Sequence, residues 1–190
     1  MNMKSLMGGI LIGIGGTAFL SVDDKVVGAF LFSVCLYAIL ATGQLLLTGR
    51  AAYTCHLREL AGILLGNACG AVAVGLLAGP DVRARAALLC QAKLGGMDSL
   101  IVAGILCNLL IYVAVEAYGK AQPLLTVMCV MAFILCGYEH SIANMFYFAA
   151  ARRFSPEVVM FLVVNVLSNV FCGQCIFAAR LFASKIGNKG

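Results

Sequence analysis

Charge is what this sequence has least of. Only 11% of its 190 residues are Asp, Glu, Lys or Arg, against about a quarter in soluble domains. That scarcity excludes a soluble globular domain. It also leaves no clustered basic footprint for nucleic acid, so the net charge of +5 bears on membrane orientation instead. Prolines are few, at Pro80, Pro123 and Pro156, and none stands in the Asn-Pro-Ala setting that aquaporin half-helices require. Histidines are fewer still. His56 and His140 lie too far apart for the H-E-x-x-H of an intramembrane metalloprotease, and the order at the second is Glu139-His140. No nucleophile–base pair is present, so no enzyme is expected. The nine cysteines lie almost entirely in apolar runs, with one close pair, Cys172-x-x-Cys175, and no histidine beside it. They read as small packing hydrophobes. No disulfide scaffold, metal site or cofactor is expected.

What is present is apolar. Hydrophobic residues make up 63% of the chain and the mean hydropathy is +1.02. A spanning helix needs about 20 mostly apolar residues. Six such stretches fit, at roughly 6–22, 26–48, 57–79, 99–119, 122–150 and 156–184. Little is left for loops, so residues 1–190 read as one transmembrane domain. Residues 1–20, with Lys4 ahead of an apolar run, have the look of a secretory signal but lack a small-residue cleavage pattern. Glycines at 8, 9, 13, 15 and 16 mark helix packing instead. Six spans put both termini on one side, taken as the cytoplasmic face of the inner (plasma) membrane. Inside segments then hold Lys4, Arg50, Arg58, Lys120, Arg180, Lys185 and Lys189, a narrow majority over Lys25, Arg83, Arg85, Lys93, Arg152 and Arg153 outside.

Two of the stretches are interrupted. The second breaks at Ala41-Thr42-Gly43-Gln44 and the fifth at Cys136-Gly137-Tyr138-Glu139-His140-Ser141. Interrupted segments at equivalent places in two halves are the mark of an inverted-repeat transporter. The third and sixth stretches divide the same way, with Gly66-Asn67-Ala68-Cys69-Gly70 in one and Ser168-Asn169-Val170-Phe171-Cys172-Gly173 in the other. The expectation is an all-α membrane protein of two inverted three-helix repeats, about 1–80 and 95–190, with helices 2 and 5 broken. Irregular backbone at membrane depth survives only where protein or a watery cavity surrounds it, and its freed polar groups can face a permeating ion. A packing kink is the plainer reading of either break alone.

Glu139 and His140 sit inside a run otherwise apolar enough to cross a bilayer. Intramembrane titratable groups cost several kcal/mol and by default mark a substrate or proton pathway. The alternative is a satisfied pair that pins two helices together. Asn67 and Asn169 can bond backbone freed at the breaks, Asn108 can bridge helices, Thr48 can cap a half-helix, and Lys93 can be a solvated loop charge.

The segment GYEHSIANMF, residues 137–146, resembles the fifth-helix signature of the formate/nitrite transporter family. AKLGGMDSLIVAGILCNLL resembles that family's third-to-fourth-helix stretch, LLGNACGA its third-helix motif, SNVFCG its sixth, and VVGAFLFSVCLYAILATGQLLLTG its second helix with the break. The resemblance covers most of the chain in the right order. It implies a homopentamer with one pore per protomer in an aquaporin-like fold, embedded in the lipid bilayer. It implies that His140 is the central pore histidine, with Thr48 and Asn169 as polar neighbours and Asn108 near the pore. It places Lys93 at the extracellular vestibule, drawing anions in. Phe32, Leu36, Leu46 and Phe133 become the apolar slits on either side of the histidine. Glu139 and Asn144 belong to the motif without touching substrate, as does Asn67. The implied cargo is a small inorganic or carboxylate anion, with formate and nitrite ahead of hydrosulfide, acetate and lactate.

The sequence departs from the family pattern in three places. Gln44-Leu45 stands where members commonly carry an acid before the leucine, the connection from Gly49 to the third helix is short, and the family's cytoplasmic helix ahead of the first span is not expected here. Gating by a pH-moved N-terminal segment is therefore not expected. Physics supplies a route without it. A bare anion in a dry slit costs many kcal/mol, whereas the neutral weak acid passes. The proton comes either from His140, whose ordinary pKa of about 6.5 suits exchange near neutrality, or from vestibule water with His140 kept neutral by burial. Passive anion conduction without a proton and a non-transporting membrane scaffold are the rival readings.

Overall fold

The computed structural model describes residues 2–187, and every regular element among them is helical. In chain order these are α1 (Met3–Ser21), α2 (Lys25–Ala41), α3 (Leu47–Arg50), α4 (Leu57–Leu76) and α5 (Pro80–Gly95), then a 3-10 turn (Met97–Ser99). They continue with α6 (Leu100–Gly119), α7 (Pro123–Leu135), α8 (Ser141–Ala150) and α9 (Pro156–Gly187). Lys189 of the charge count lies outside the described residues. α1, α4, α9 and α6 with its leading turn are long and apolar enough to cross a membrane, while α2 and α7 are shorter apolar helices. Starts are set by local chemistry. The Asp24 carboxylate accepts the Val26 and Val27 N–H groups at the head of α2, and prolines occupy the first turn of α5, α7 and α9.

The glycines of α1 let it lie against α4 in parallel. A Cβ on Gly66 would meet Ser5, one on Gly70 would meet Leu6 and Gly9, and one on Gly13 would meet Val74. At Gly9 the obstacle is backbone, since an added Cβ would fall 2.1 Å from the Asn67 carbonyl oxygen. α6 and α9 meet the same way through Gly104, which faces Ser168 and Asn165. Outward faces carry exposed Val26, Phe30, Val34, Leu65, Val159 and Phe171, a surface suited to lipid or a second apolar chain rather than to water.

Both interruptions end a helix by one hydrogen-bond pattern. Gly43 N–H donates to Leu40 and Gln44 N–H to Ile39, while Gly137 donates to Ile134 and Tyr138 to Phe133. Each glycine is left-handed, with φ of 65° and 70°. This is the Schellman arrangement, in which a residue at positive φ closes the last turn. The chain beyond then docks on a neighbouring helix start, Leu45 N–H to Lys4 O in one case and Glu139 N–H to Ala103 O in the other. One expectation is corrected here. The stretch between the third and fourth apolar runs is not a loop, because Pro80–Gly95 is helical, with Val82, Ala86 and Cys90 buried one turn apart.

Candidate functional site

His140 is the residue on which α8 begins. Its Nδ1 accepts the Ala143 N–H at 3.1 Å and so caps the half-helix. Its Nε2 lies 3.0 Å from Thr48 Oγ1 at the start of α3. The two half-helices therefore meet through one side-chain contact, with His140 2% and Thr48 0% exposed. Because Nδ1 is an acceptor, the partners assign the neutral ring's hydrogen to Nε2, which donates to Thr48. The Thr48 hydroxyl is left with its own hydrogen to give. Phe133 stacks on the imidazole at 5.8 Å and 19°, and Phe32 meets Phe133 edge-on at 6.1 Å.

Cavities flank this layer. The larger, about 350 Å³, is lined by Leu36, Leu46, Gly43, Gln44, Arg50 and Tyr53 among others. The smaller, about 70 Å³, is lined by Phe133, His140, Tyr138, Asn144, Lys93 and Tyr147 among others. They open toward opposite ends of the bundle. Arg50 bonds Glu59 near the start of α4, whereas the smaller cavity reaches Phe19 near the end of α1, which runs parallel to α4. Leu36 and Leu46 thus face one cavity and Phe133 the other. Phe32 is buried behind Phe133.

Two asparagines hold the breaks open. Asn67 Oδ1 accepts the Leu47 N–H, and its Nδ2 donates to Leu45 and Ser5 carbonyls. Asn169 Oδ1 accepts the Ser141 N–H, and its Nδ2 donates to Glu139 and Gly104 carbonyls. Asn169, placed by resemblance among the polar neighbours of the histidine, has all its amide donors committed to backbone and lines neither cavity. The amide of Asn108, on α6, is fully buried and has no hydrogen-bond partner among the described residues.

Lys93 is no free cation. It projects from α5, and its Nζ lies 2.6 Å from Glu139 Oε2, both side chains being close to nine-tenths buried. Asn144 Nδ2 donates to the same carboxylate oxygen and to Asn165 Oδ1, each at 2.7 Å, and Asn165 Nδ2 donates to the Glu139 carbonyl. The Lys93 ammonium also stands 5.8 Å from the Tyr147 ring centre. Asn165 and Tyr147 were not singled out from the sequence. Asn165 stands one helical turn before Asn169 on α9, a spacing that offered the signal.

A helical bundle with an apolar exterior, two interrupted segments and cavities on both sides of a buried histidine layer defines a membrane channel or transporter. The chain belongs to the formate/nitrite transporter family, whose model matches residues 1–184. It is similar to the nitrite transporter NirC of Salmonella typhimurium (strain LT2), 30% identical over 77% of this chain and 66% of that protein. NirC of Escherichia coli (strain K12) matches with the same identity and coverage, so the chain spans 66% of the length of these relatives. Among solved structures, a pentameric formate channel with formate bound superposes with a TM-score of 0.82 at 19% identity, over 97% of this chain and 96% of that one. An FNT family ion channel superposes with a TM-score of 0.80 at 26% identity, over 95% and 88%.

Proposed function

We propose that the protein is a transmembrane pathway for small monovalent weak-acid anions, formate and nitrite first, which cross the histidine layer as neutral acids together with a proton. The observation that carries this reading is the buried His140–Thr48 contact, closed in by Phe133, Leu36 and Leu46, with a cavity on either side. Such a layer opposes a bare anion, whose desolvation costs many kcal/mol, and opposes a neutral acid far less. The proton is taken up from vestibule water, since His140 Nδ1 is held by the Ala143 N–H. The ring gives its Nε2–H to Thr48, and the Thr48 hydroxyl is free to donate to an oxygen of the passing acid. Lys93, beside Glu139 and Asn144, polarises the mouth of the smaller cavity.

The paired breaks, and the paired asparagines that brace them, support six spans in two inverted three-helix repeats, laid out as in aquaporins. The family and the pentameric neighbour support a homopentamer with a pore in each protomer, and the even number of spans with the narrow Lys and Arg majority inside supports a seat in the inner membrane with both termini cytoplasmic. Internal pH of proteoliposomes, followed as formate is added outside and corrected with protein-free vesicles, tests the reading. Protein-dependent acidification is expected. A formate-dependent current without acidification would replace proton-linked passage by bare anion conduction.

A further inference from the structure

The two cavities are built from matching positions of the two breaks. Counted from Gly43 and Gly137, Leu46 and His140 each stand three residues on, Arg50 and Asn144 seven, and Tyr53 and Tyr147 ten. All of these line their own cavity. A cation lies over each tyrosine, Lys93 over Tyr147 at 5.8 Å and Arg180 over Tyr53 at 4.6 Å, and each of these cations is bonded to a carboxylate, Glu139 or Glu116. The match fails in charge at one place. Asn144 spends its amide hydrogens inside the wall, on Glu139 and Asn165. Arg50 has only its Nε engaged, with Glu59 Oε1 at 2.8 Å, and its two terminal nitrogens have no acceptor among the described residues.

We propose that Arg50 is a binding site for the permeant anion in the larger cavity, taking a two-oxygen anion such as formate or nitrite on the free edge of its guanidinium. The inference rests on the anion-pathway reading and gives that pathway a second contact, at the end away from Lys93. The rest of the lining is dominated by leucine, isoleucine and valine side chains, so an anion that sheds water there needs a compensating donor. A planar guanidinium presents two parallel N–H groups to a carboxylate in a way an ammonium cannot. Glu59 cancels the distant field of Arg50 while holding it by Nε, so the site acts at contact and sets affinity more than long-range capture.

Formate uptake by the full chain, compared in intact cells and in inside-out vesicles, presents one end of the pathway at a time. With rates normalised to folded oligomer, Arg50→Gln raises the apparent KM roughly three- to tenfold in one of the two preparations, the loss of one charge-assisted contact. Lys93→Gln shifts the other preparation. Arg50→Lys recovers part of the affinity, and Glu59→Gln does not reproduce the Arg50→Gln loss. An unchanged KM for Arg50→Gln in both preparations overturns the proposal. So does a Glu59→Gln loss equal to that of Arg50→Gln, which makes the pair a strut. If the unaltered protein carries neither formate nor nitrite in either preparation, the pathway reading itself fails.

Discussion

Asn67 and Asn169 make the same three hydrogen bonds, each accepting the first N–H of a half-helix and giving both amide hydrogens to carbonyls beside the break. Each amide replaces water for backbone that no helix satisfies. A buried group left without its partner costs about 1–3 kcal/mol.

Asn67→Ala and Asn169→Ala should therefore lower stability by similar amounts. Each should lose the detergent-solubilised oligomer on gel filtration at a lower temperature than the unaltered protein. If Asn169→Ala keeps full thermal stability and loses only transport, its role lies with the substrate instead.

The glycines divide into two kinds. Gly43 is left-handed and a Cβ there would meet nothing within 4 Å, so Gly43→Ala pays only for backbone strain, about 1–2 kcal/mol. Gly9→Ala would drive a Cβ into the Asn67 backbone and force α1 from α4. Folded yield should fall modestly for the first and collapse for the second, read by fluorescence-detected gel filtration.

The Lys93–Glu139 pair predicts a double-mutant cycle of unequal arms. Lys93→Met alone strands a buried carboxylate and should cost about 3–5 kcal/mol. Lys93→Met with Glu139→Gln should recover much of that loss in a thermal unfolding series. Additive losses would place the pair in water instead.

At the histidine, Asn is a good helix cap and can take the Ala143 N–H, so His140→Asn should fold. It removes the Nε2–H from Thr48 and the ring that stacks on Phe133. Formate-dependent current in planar bilayers should appear in this variant and be absent from the unaltered protein. Thr48→Val keeps shape and removes only the hydroxyl. It should slow formate flux roughly tenfold, the worth of one hydrogen bond of about 1.4 kcal/mol, with the oligomer intact.

Much of this was legible in the sequence because glycine and asparagine have few reasons to interrupt an apolar run. Gly43, Gly137, Asn67 and Asn169 each carried that signal, and so did Glu139-His140. Reading for apolar runs hid α5, whose three cations and one acid lowered its hydropathy although Gly79-Pro80-Asp81 is a helix start and Val82, Ala86 and Cys90 form a buried stripe. The partner of Lys93 was equally hidden, since Glu139 lies far along the chain and only the fold brings the two within 2.6 Å. For Asn169 the sequence offered both a place near the histidine, by resemblance, and a bond to backbone freed at the break, whereas its second carbonyl, Gly104 on α6, depends on a helix contact that spacing along one chain does not encode.

The cap at Ala143 also limits what His140 can hand on. To relay a proton through its ring, an imidazole takes the proton at one nitrogen and releases it from the other, and here Nδ1 already faces an amide hydrogen. The ring is a dead end for a proton arriving alone. On the proposed reading, a membrane that stores its energy as a proton gradient keeps such a pathway open without short-circuiting, and loses one proton only for each acid molecule that carries it.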